Sequence, residues 1–307
     1  MTIYLLKRLV QSVFVILVVT LLVAFAVRLS GDPTARLLSG NGAITEADLA
    51  RIREGLGIDR PFLVQYGSFL LGMVRGDFGK SFFGATPVSS LIAEALPATL
   101  LLSVTAMLLS FLVSIPLGVY AAVRAGRMPD QTVRLLSLVG LSFPNFWLGI
   151  MFVLLFSITL GWVPASGFLS WTGLILPSLT LALILSAINV RIVRSAMMET
   201  LSSQYVLVHR AKGLCTVAVL YKHALRNAMV PLLTFVGLQF GEVLGGVVII
   251  ERVFDWPGMG SLAFDAISSR DYPVLQGVVT VLALMIVVTN LLIDLTYGLI
   301  DPRIARS

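Results

Sequence analysis

The residues of this chain that are best suited to chemistry lie in one short polar segment. Both histidines, His209 and His223, and the single cysteine, Cys215, fall within it. Imidazole and thiolate groups bind zinc and also serve as bases and nucleophiles. A zinc site needs further ligands, and neither a second cysteine nor paired carboxylates accompany these residues. The sequence therefore predicts no metal site and favours surface histidines, and a single cysteine excludes an internal disulfide.

Serine-based catalysis is the other enzymatic possibility. Gly140-Leu141-Ser142 stands inside a long apolar run, where an intramembrane serine protease would hold its nucleophile. Such a serine needs a base within hydrogen-bond reach, but both histidines lie in the polar segment. The chain also lacks a Gly-x-x-x-x-Gly-Lys-Ser/Thr phosphate loop. We therefore expect a protein that is not an enzyme and that does not bind ATP through such a loop.

Composition places the chain in a lipid bilayer. Of its 307 residues, 57% are hydrophobic and 12% are charged, and the mean hydropathy is +0.96. Soluble domains carry about a quarter charged residues, so this chain has too little polar surface to cover itself with. The formal net charge of +6 fits basic cytoplasmic loops better than nucleic-acid binding, because no basic run is interleaved with aromatic residues.

Six apolar runs are each long enough to cross the membrane as a helix. A helix needs about 20 residues to cross a 30 Å hydrocarbon core, and the runs lack the alternation of barrel strands. The predicted fold is therefore all-α with six transmembrane helices, the first an uncleaved span rather than a signal peptide. Pro116 and Pro144 are expected to bend their spans. The predicted spans are 9–29, 97–123, 135–160, 174–198, 229–250 and 274–300.

Basic residues in the short loops predict that both termini are cytoplasmic. The chain then divides into an N-terminal transmembrane helix (1–30), an external segment with short interfacial helices (31–96) and a core transmembrane domain (97–307) that includes a cytoplasmic loop, 200–228. In the external segment, Pro61 begins a helix that would lie at the outer membrane boundary. Its apolar face comprises Phe62, Tyr66, Phe69, Leu70 and Met73.

The loop 200–228 has the pattern of two short helices. Residues 201–212 and 215–227 are each predicted to be helical, and Gly213 between them permits the left-handed turn that ends the first helix. His209, Arg210 and Lys212 would give the pair a basic surface. The positive-inside rule alone explains most basic loops, so the order of the residues is more informative than their charge.

That order resembles the coupling loop of ABC importer permeases of the di/oligopeptide and nickel branch. The matching residues are Ala211-Lys212-Gly213, His223, Leu225-Arg226-Asn227 and Pro231. Similar motifs recur along nearly the whole chain, among them Phe143-Pro144-Asn145-Phe146-Trp147 and Val253-Phe254-Asp255-Trp256-Pro257-Gly258. The acidic-Ala-Ala start typical of many importer permeases is absent, and Leu207, Val208 and His209 stand there instead.

The resemblance implies an ABC type I importer transmembrane-domain fold in the bacterial inner membrane. It implies a permease with alternating access for di/oligopeptides, or for nickel complexes or glutathione. The chain itself would bind no cofactor; ATP and Mg would be bound by two separate ATPase subunits. The other implied partners are a second homologous permease, an external substrate-binding protein and the lipid bilayer. The residues implied to couple to the ATPase are Tyr205, His209, Arg210, Ala211, Lys212, Gly213, His223, Arg226 and Asn227.

Polar residues within the spans are candidates for the translocation pathway or for helix packing. An intramembrane carboxylate is costly, so it is expected to face a cavity or a partner. Asp294 matches the depth of Arg191, and we expect the two to pair, with Arg194 as the alternative. The turn residues Asp255, Trp256, Pro257 and Gly258 form either part of an external gate or a plain connection. The pathway candidates are Ser142, Asn145, Arg191, Gln239, Glu242 and Asp294.

An ion-coupled carrier is the third class considered. It would favour internal repeats and broken helices at the membrane midplane, and the sequence shows no internal repeat.

Overall fold

The computed structural model describes residues 2–29, 60–83, 86–168 and 170–300, and helices dominate this part of the chain. Its one bridge between extended residues joins Lys80 and Pro87. The predicted all-α class is therefore confirmed for these residues. The helices are α1 (Thr2–Leu29), α2 (Phe62–Val74), α3 (Val88–Val123), α4 (Met128–Ser142), α5 (Asn145–Phe152), α6 (Ile175–Leu201), α7 (Gln204–Ala211), α8 (Leu225–Val253), α9 (Met259–Ser269) and α10 (Tyr272–Ile300).

Four helical stretches in the described residues are long and apolar enough to cross a membrane. A fifth results if α4 and α5, with the π-helical turn Val153–Thr159, form one bent span. The predicted span 229–250 lies within α8, whose described apolar stretch is Phe235–Gly245. The count of six spans stays a prediction. The four stretches are Val10–Leu29, Val88–Val123, Trp171–Leu201 and Tyr272–Ile293.

The predicted bend at Pro144 is confirmed. The axes of α4 and α5 differ by 96° across the break between them. Pro144 has no N–H to continue the helix, and it forces the residue before it out of the helical region. Phe143 accordingly adopts φ −90° and ψ 133°. At Pro116, by contrast, α3 continues without interruption.

The chain folds as two compact units. The first contains the described residues up to Thr99 together with Pro257–Leu291, and the second contains Leu100–Trp256 with the described residues from Leu292 onward. The core of the first unit joins Val88 and Ile92 of α3 to Met259 of α9 and Val278 of α10. The domain boundaries predicted at residues 30 and 96 stay a prediction.

Helix α2 packs against α1 through the face that its sequence spacing predicts. All five residues of that face are partly buried. The Tyr66 hydroxyl lies 3.0 Å from both the carbonyl oxygen of Leu17 and Oγ1 of Thr20. The Phe62 ring meets the Phe25 ring edge-on, with centroids 6.3 Å apart. The spacing therefore identified the packed face, and the position of α2 at the membrane boundary stays a prediction.

The second unit is organised around a cluster of small and β-branched residues. Val119 of α3, Val193 and Met197 of α6, and Ala228 and Leu232 of α8 are all buried within it. Gly118 lets α3 approach α6 closely, because a Cβ at this position would lie 2.6 Å from the Cβ of Val193. We call this the inner core, and the candidate site is built on it.

Candidate functional site

The segment 200–228 forms two helical arms joined by a turn at Gly213. The first arm is α7. Gly213 has φ +77°, which confirms the left-handed turn inferred from the sequence. Beyond the turn, helical structure begins again at Thr216 and passes through a π-helical stretch, Ala218–Ala224, into α8. We call residues 204–224 the coupling hairpin.

The second arm differs from its prediction. It was expected to end near residue 227 as a separate short helix, but it continues without a break to Val253. The physical reason is local. Residues 216–230 contain neither glycine nor proline, so no residue in this stretch favours a helix end.

One side of the coupling hairpin is buried against the inner core. Val206 of α7 and Val219 and Ala224 of the second arm are all buried, and they belong to the same cluster as Val193 and Met197 of α6. Burial of an aliphatic side chain of this size contributes about 1.5–3 kcal/mol. Apolar packing therefore fixes both arms to the second unit.

The two histidines face each other across the coupling hairpin. The rings of His209 and His223 are stacked, with centroids 4.1 Å apart and planes inclined by 21°. Both residues are partly buried, and the prediction of surface histidines stays a prediction. In two nearly parallel rings the nitrogen lone pairs lie in two separate, parallel planes. The two imidazoles therefore do not point at one common metal ion. Tyr205 packs edge-on against His209 at 6.1 Å.

Charge and burial both act on His223. Burial, and then the neighbouring His209 and Lys222, lower the pKa of His223 below its ordinary value. The neutral imidazole is thereby favoured. Protonation of His223 is consequently expected to weaken the contact between the two arms.

The other side of the coupling hairpin is exposed, apolar and basic. Leu207 and Val217 are 58% and 65% exposed. Lys212, Lys222 and Arg226 are exposed as well, as are Ala211, Gly213 and Asn227. The side chain of Arg210 lies outside the described residues. An apolar patch rimmed by polar residues is typical of a docking surface. The patch consists of Leu207, Val208, Leu214, Val217 and Tyr221.

A buried ion pair that sequence reasoning missed lies at the start of α4. Arg194 of α6 donates from Nε to Oδ1 of Asp130 at 2.5 Å and from its terminal nitrogen to Oδ2 at 2.7 Å. The backbone N–H of Gly126 donates to Oδ2 at 2.8 Å. Asp130 is 1% exposed. A bidentate Arg–carboxylate pair is strong and geometrically specific. The available signal was a lone acidic residue in a basic stretch, 124–134.

This ion pair bears on the partner predicted for Asp294. Arg194 was its alternative partner, and Arg194 is engaged by Asp130. Arg191 is exposed, and the side chain of Asp294 lies outside the described residues. Pairing of Asp294 with Arg191 therefore stays a prediction.

The other pathway candidates occupy different environments. Ser142 is exposed and donates to the carbonyl of Leu138 in its own helix at 2.9 Å. Asn145 is partly buried at the start of α5. Gln239 is fully buried, whereas Glu242, in the same helix, is exposed. Glu242 therefore faces outward from this chain and Gln239 faces inward.

The predicted gate residues begin in a strained turn. Asp255 has φ +48°, and the N–H of Trp256 donates to the carbonyl of Glu251 at 2.7 Å. Trp256 is fully buried and packs on Phe168, with ring centroids 4.6 Å apart. Pro257 is exposed, and Gly258 precedes α9. The predicted turn chemistry is thus present at Asp255, while a gating role stays a prediction.

Comparison with known proteins identifies the class. A family model described as "Binding-protein-dependent transport system inner membrane component" matches residues 114–306, and a model for the N-terminal part of such components matches residues 1–103. The chain belongs to this family. It is a permease subunit of an ABC importer, a multi-pass protein of the bacterial inner membrane, and not itself an enzyme. Permeases of this kind bind no cofactor themselves, and the family implies partner permease, ATPase and substrate-binding subunits.

Individual relatives support the same assignment, and a solved structure shows a similar fold. The chain is 42% identical over 302 residues to the glutathione transport system permease protein GsiC of Salmonella typhimurium, covering 98% of both chains. It is 39% identical over the same length to GsiC of Escherichia coli strain K12, again with 98% coverage of both. A chain of the inward-facing MetNI methionine ABC transporter has a similar fold at 17% identity. Its TM-score is 0.60, and the match covers 69% of this chain and 96% of that one.

Proposed function

We propose that the coupling hairpin is the surface on which separate ATPase subunits dock. The observation that carries this proposal is its exposed apolar patch with a basic rim, outside the predicted spans. Six spans with cytoplasmic termini would place this patch in the cytoplasm. The residues inferred to take part are Tyr205, His209, Arg210, Ala211, Lys212, Gly213, His223, Arg226 and Asn227.

The complete importer then contains this chain, a second homologous permease, two ATPase subunits that bind ATP and Mg, and an external substrate-binding protein. Both arms pack on α6 through the inner core, so a displacement of the hairpin would also move the spans. Alternating access would follow when ATP-driven movement of the ATPase subunits displaces the hairpin.

We further propose that the solute is a short peptide, with glutathione the leading candidate. The similarity to GsiC over nearly the whole chain supports this choice. Other di/oligopeptides and nickel complexes are the alternatives. Glu242, which is exposed on α8, is proposed to face the pathway or the second permease, because lipid contact is costly for a carboxylate. The turn at Asp255 is proposed to contribute to the external gate.

Acidic substitutions within the patch test the docking proposal. Leu207→Asp and Val217→Asp place a charge on the apolar surface, and we expect them to abolish co-purification of the ATPase subunits and ATP-dependent uptake. Ala125→Asp is the matched control, because Ala125 is exposed in another basic loop and the charge change is the same. Retention of the ATPase by both patch variants would refute docking at this surface.

Transport in proteoliposomes tests the solute. With the binding protein and ATPase subunits present, labelled glutathione should accumulate only when ATP is supplied. Competition by unlabelled dipeptides, oligopeptides or a nickel complex then ranks the alternatives. Uptake of one of these without uptake of glutathione would reject glutathione while leaving the docking proposal intact.

A further inference from the structure

Helix α8 carries a buried stripe with one polar member. Its residues are Ala228, Leu232, Gln239, Val243 and Ile250, each at most 2% exposed. Steps of four and seven residues return to nearly the same face of a helix. Gln239 therefore points in the direction of Ala228 and Leu232. Neither Nε2 nor Oε1 of Gln239 has a hydrogen-bond partner within the described residues.

The inner core fixes the height of Gln239 against α6. Leu232 and Val193 both belong to that core. Helix α6 enters the coupling hairpin and α8 leaves it, so the two helices run in opposite directions from the core. Gln239 lies seven residues beyond Leu232 and Ser186 seven residues before Val193, which is about 10.5 Å along either helix. Taking Leu232 and Val193 as level, we place Gln239 level with Ser186 and about one turn from Asn189.

Helices α6 and α3 present further polar atoms at this height. Asn189 Nδ2 donates to Oγ of Ser110 at 2.8 Å, and Ser186 Oγ lies 3.4 Å from the carbonyl oxygen of Ser110. Two atoms in this region have no partner among the described residues, namely Oδ1 of Asn189 and Oγ of Ser114. Ser114 is one helical turn from Ser110. We call Ser110, Ser114, Ser186, Asn189 and Gln239 the polar cluster.

We propose that the polar cluster binds one or two internal water molecules that join α3, α6 and α8. The chemistry is complementary. Ser114 offers a hydroxyl, Asn189 an acceptor oxygen, and Gln239 both an acceptor and a donor, whereas a water uses two to four such partners. A buried amide without hydrogen bonds is destabilising, and a bound water removes that cost. All five residues are at most 5% exposed, so the site lies inside this chain.

Thermal stability of the permease assembled with its partner subunits tests this inference. Gln239→Met keeps the side-chain shape and removes the hydrogen bonds, and Asn189→Leu does the same for Asn189. If water connects the two, each single variant lowers the melting temperature by about 2–6 °C, and the double variant lowers it by clearly less than the sum of both.

A matched control separates this effect from the general cost of altering a buried polar residue. Thr280 is 3% exposed and donates to the carbonyl of Gln276 in its own helix at 2.6 Å. Thr280→Val should change the melting temperature little. An increased melting temperature in Gln239→Met would overturn the proposal, because the protein gains stability when an amide without hydrogen bonds is removed. Strictly additive effects of the two cluster variants would overturn it as well, because they would mean that no water connects the two residues.

Radiolytic hydroxyl-radical footprinting tests for the water itself. Radicals formed from a bound water oxidise the side chains beside it, so Val243 should be oxidised faster than Val247, a buried residue of the same type one turn further away. Energetic coupling without this difference would mean a direct amide–amide bond, and the water would be rejected.

Discussion

Replacement of Gly213 tests how the coupling hairpin turns. Gly213 has φ +77°, and a Cβ built there meets nothing within 4 Å. The cost of a side chain is therefore confined to the backbone. For an L-residue the left-handed region costs about 1–2 kcal/mol, and β-branched residues are strained further. Since 1–2 kcal/mol changes an equilibrium constant about 5- to 30-fold, Gly213→Val should lower the ratio of folded to unfolded hairpin by at least that factor.

The graded series Gly213→Asn, Gly213→Ala and Gly213→Val separates backbone strain from loss of contacts. Asn tolerates the left-handed region, so ATP-dependent uptake and ATPase co-purification should decrease in the order Asn, Ala, Val. The amount of permease in the membrane is the control and should stay constant. Normal coupling in the Val variant, or an equal loss in the Asn variant, would refute the reasoning, because open space leaves no other difference between them.

Four further predictions concern single groups. Cys215, which is exposed, should react with membrane-impermeant thiol reagents only from the cytoplasmic side and more slowly once the ATPase is bound; labelling of intact cells from outside would contradict the topology. Asp130→Ala leaves Arg194 without its carboxylate partner and should lower the stability of the complex by about 3 kcal/mol or more. A thermal melt would detect this loss, and an unchanged melting temperature would mean that the ion pair contributes nothing to stability. Because the folded-state pKa of His223 is lowered, the unfolded hairpin binds more protons as pH falls below about 6.5, so the protection factors of the hairpin amides, which correct for the pH dependence of intrinsic exchange, should decrease there. Protection factors that do not change with pH would reject the effect. Asp294→Ala and Arg191→Ala should each destabilise the complex and a charge swap should recover part of the loss, whereas zero coupling in a double-mutant cycle would exclude the pair.

Local chemistry explains what the sequence predicted correctly. The bend at Pro144 follows from a missing N–H, the left-handed turn at Gly213 from a missing Cβ, and the packed face of α2 from the spacing of its apolar residues. Each depends on neighbours within a few positions along the chain. The all-α class followed from the length of the apolar runs alone.

Tertiary proximity explains what the sequence did not show. Asp130 meets Arg194, and His209 meets His223, only because the helices that carry them pack side by side. The sequence predicted Arg194 only as the alternative partner of Asp294, after Arg191, because the prediction compared depths along the spans and Asp130 lies outside the predicted spans. Likewise, Gln239 and Glu242 are equivalent polar interruptions in sequence, and only packing distinguishes the buried residue from the exposed one.

The unbroken second arm of the hairpin makes α8 a mechanical lever. From Thr216 to Val253 the chain is helical without interruption, through the π-helical stretch Ala218–Ala224 and Pro231, and at 1.5 Å per residue this rod is about 57 Å long. A tilt of roughly 5° applied at the hairpin would carry the far end of such a rod through about 5 Å. The first arm reaches α6 through the short turn at Ser202 and Ser203. If the hairpin is the docking surface, we expect a displacement of the hairpin to tilt α8 while this turn bends, so that α8 moves relative to α6.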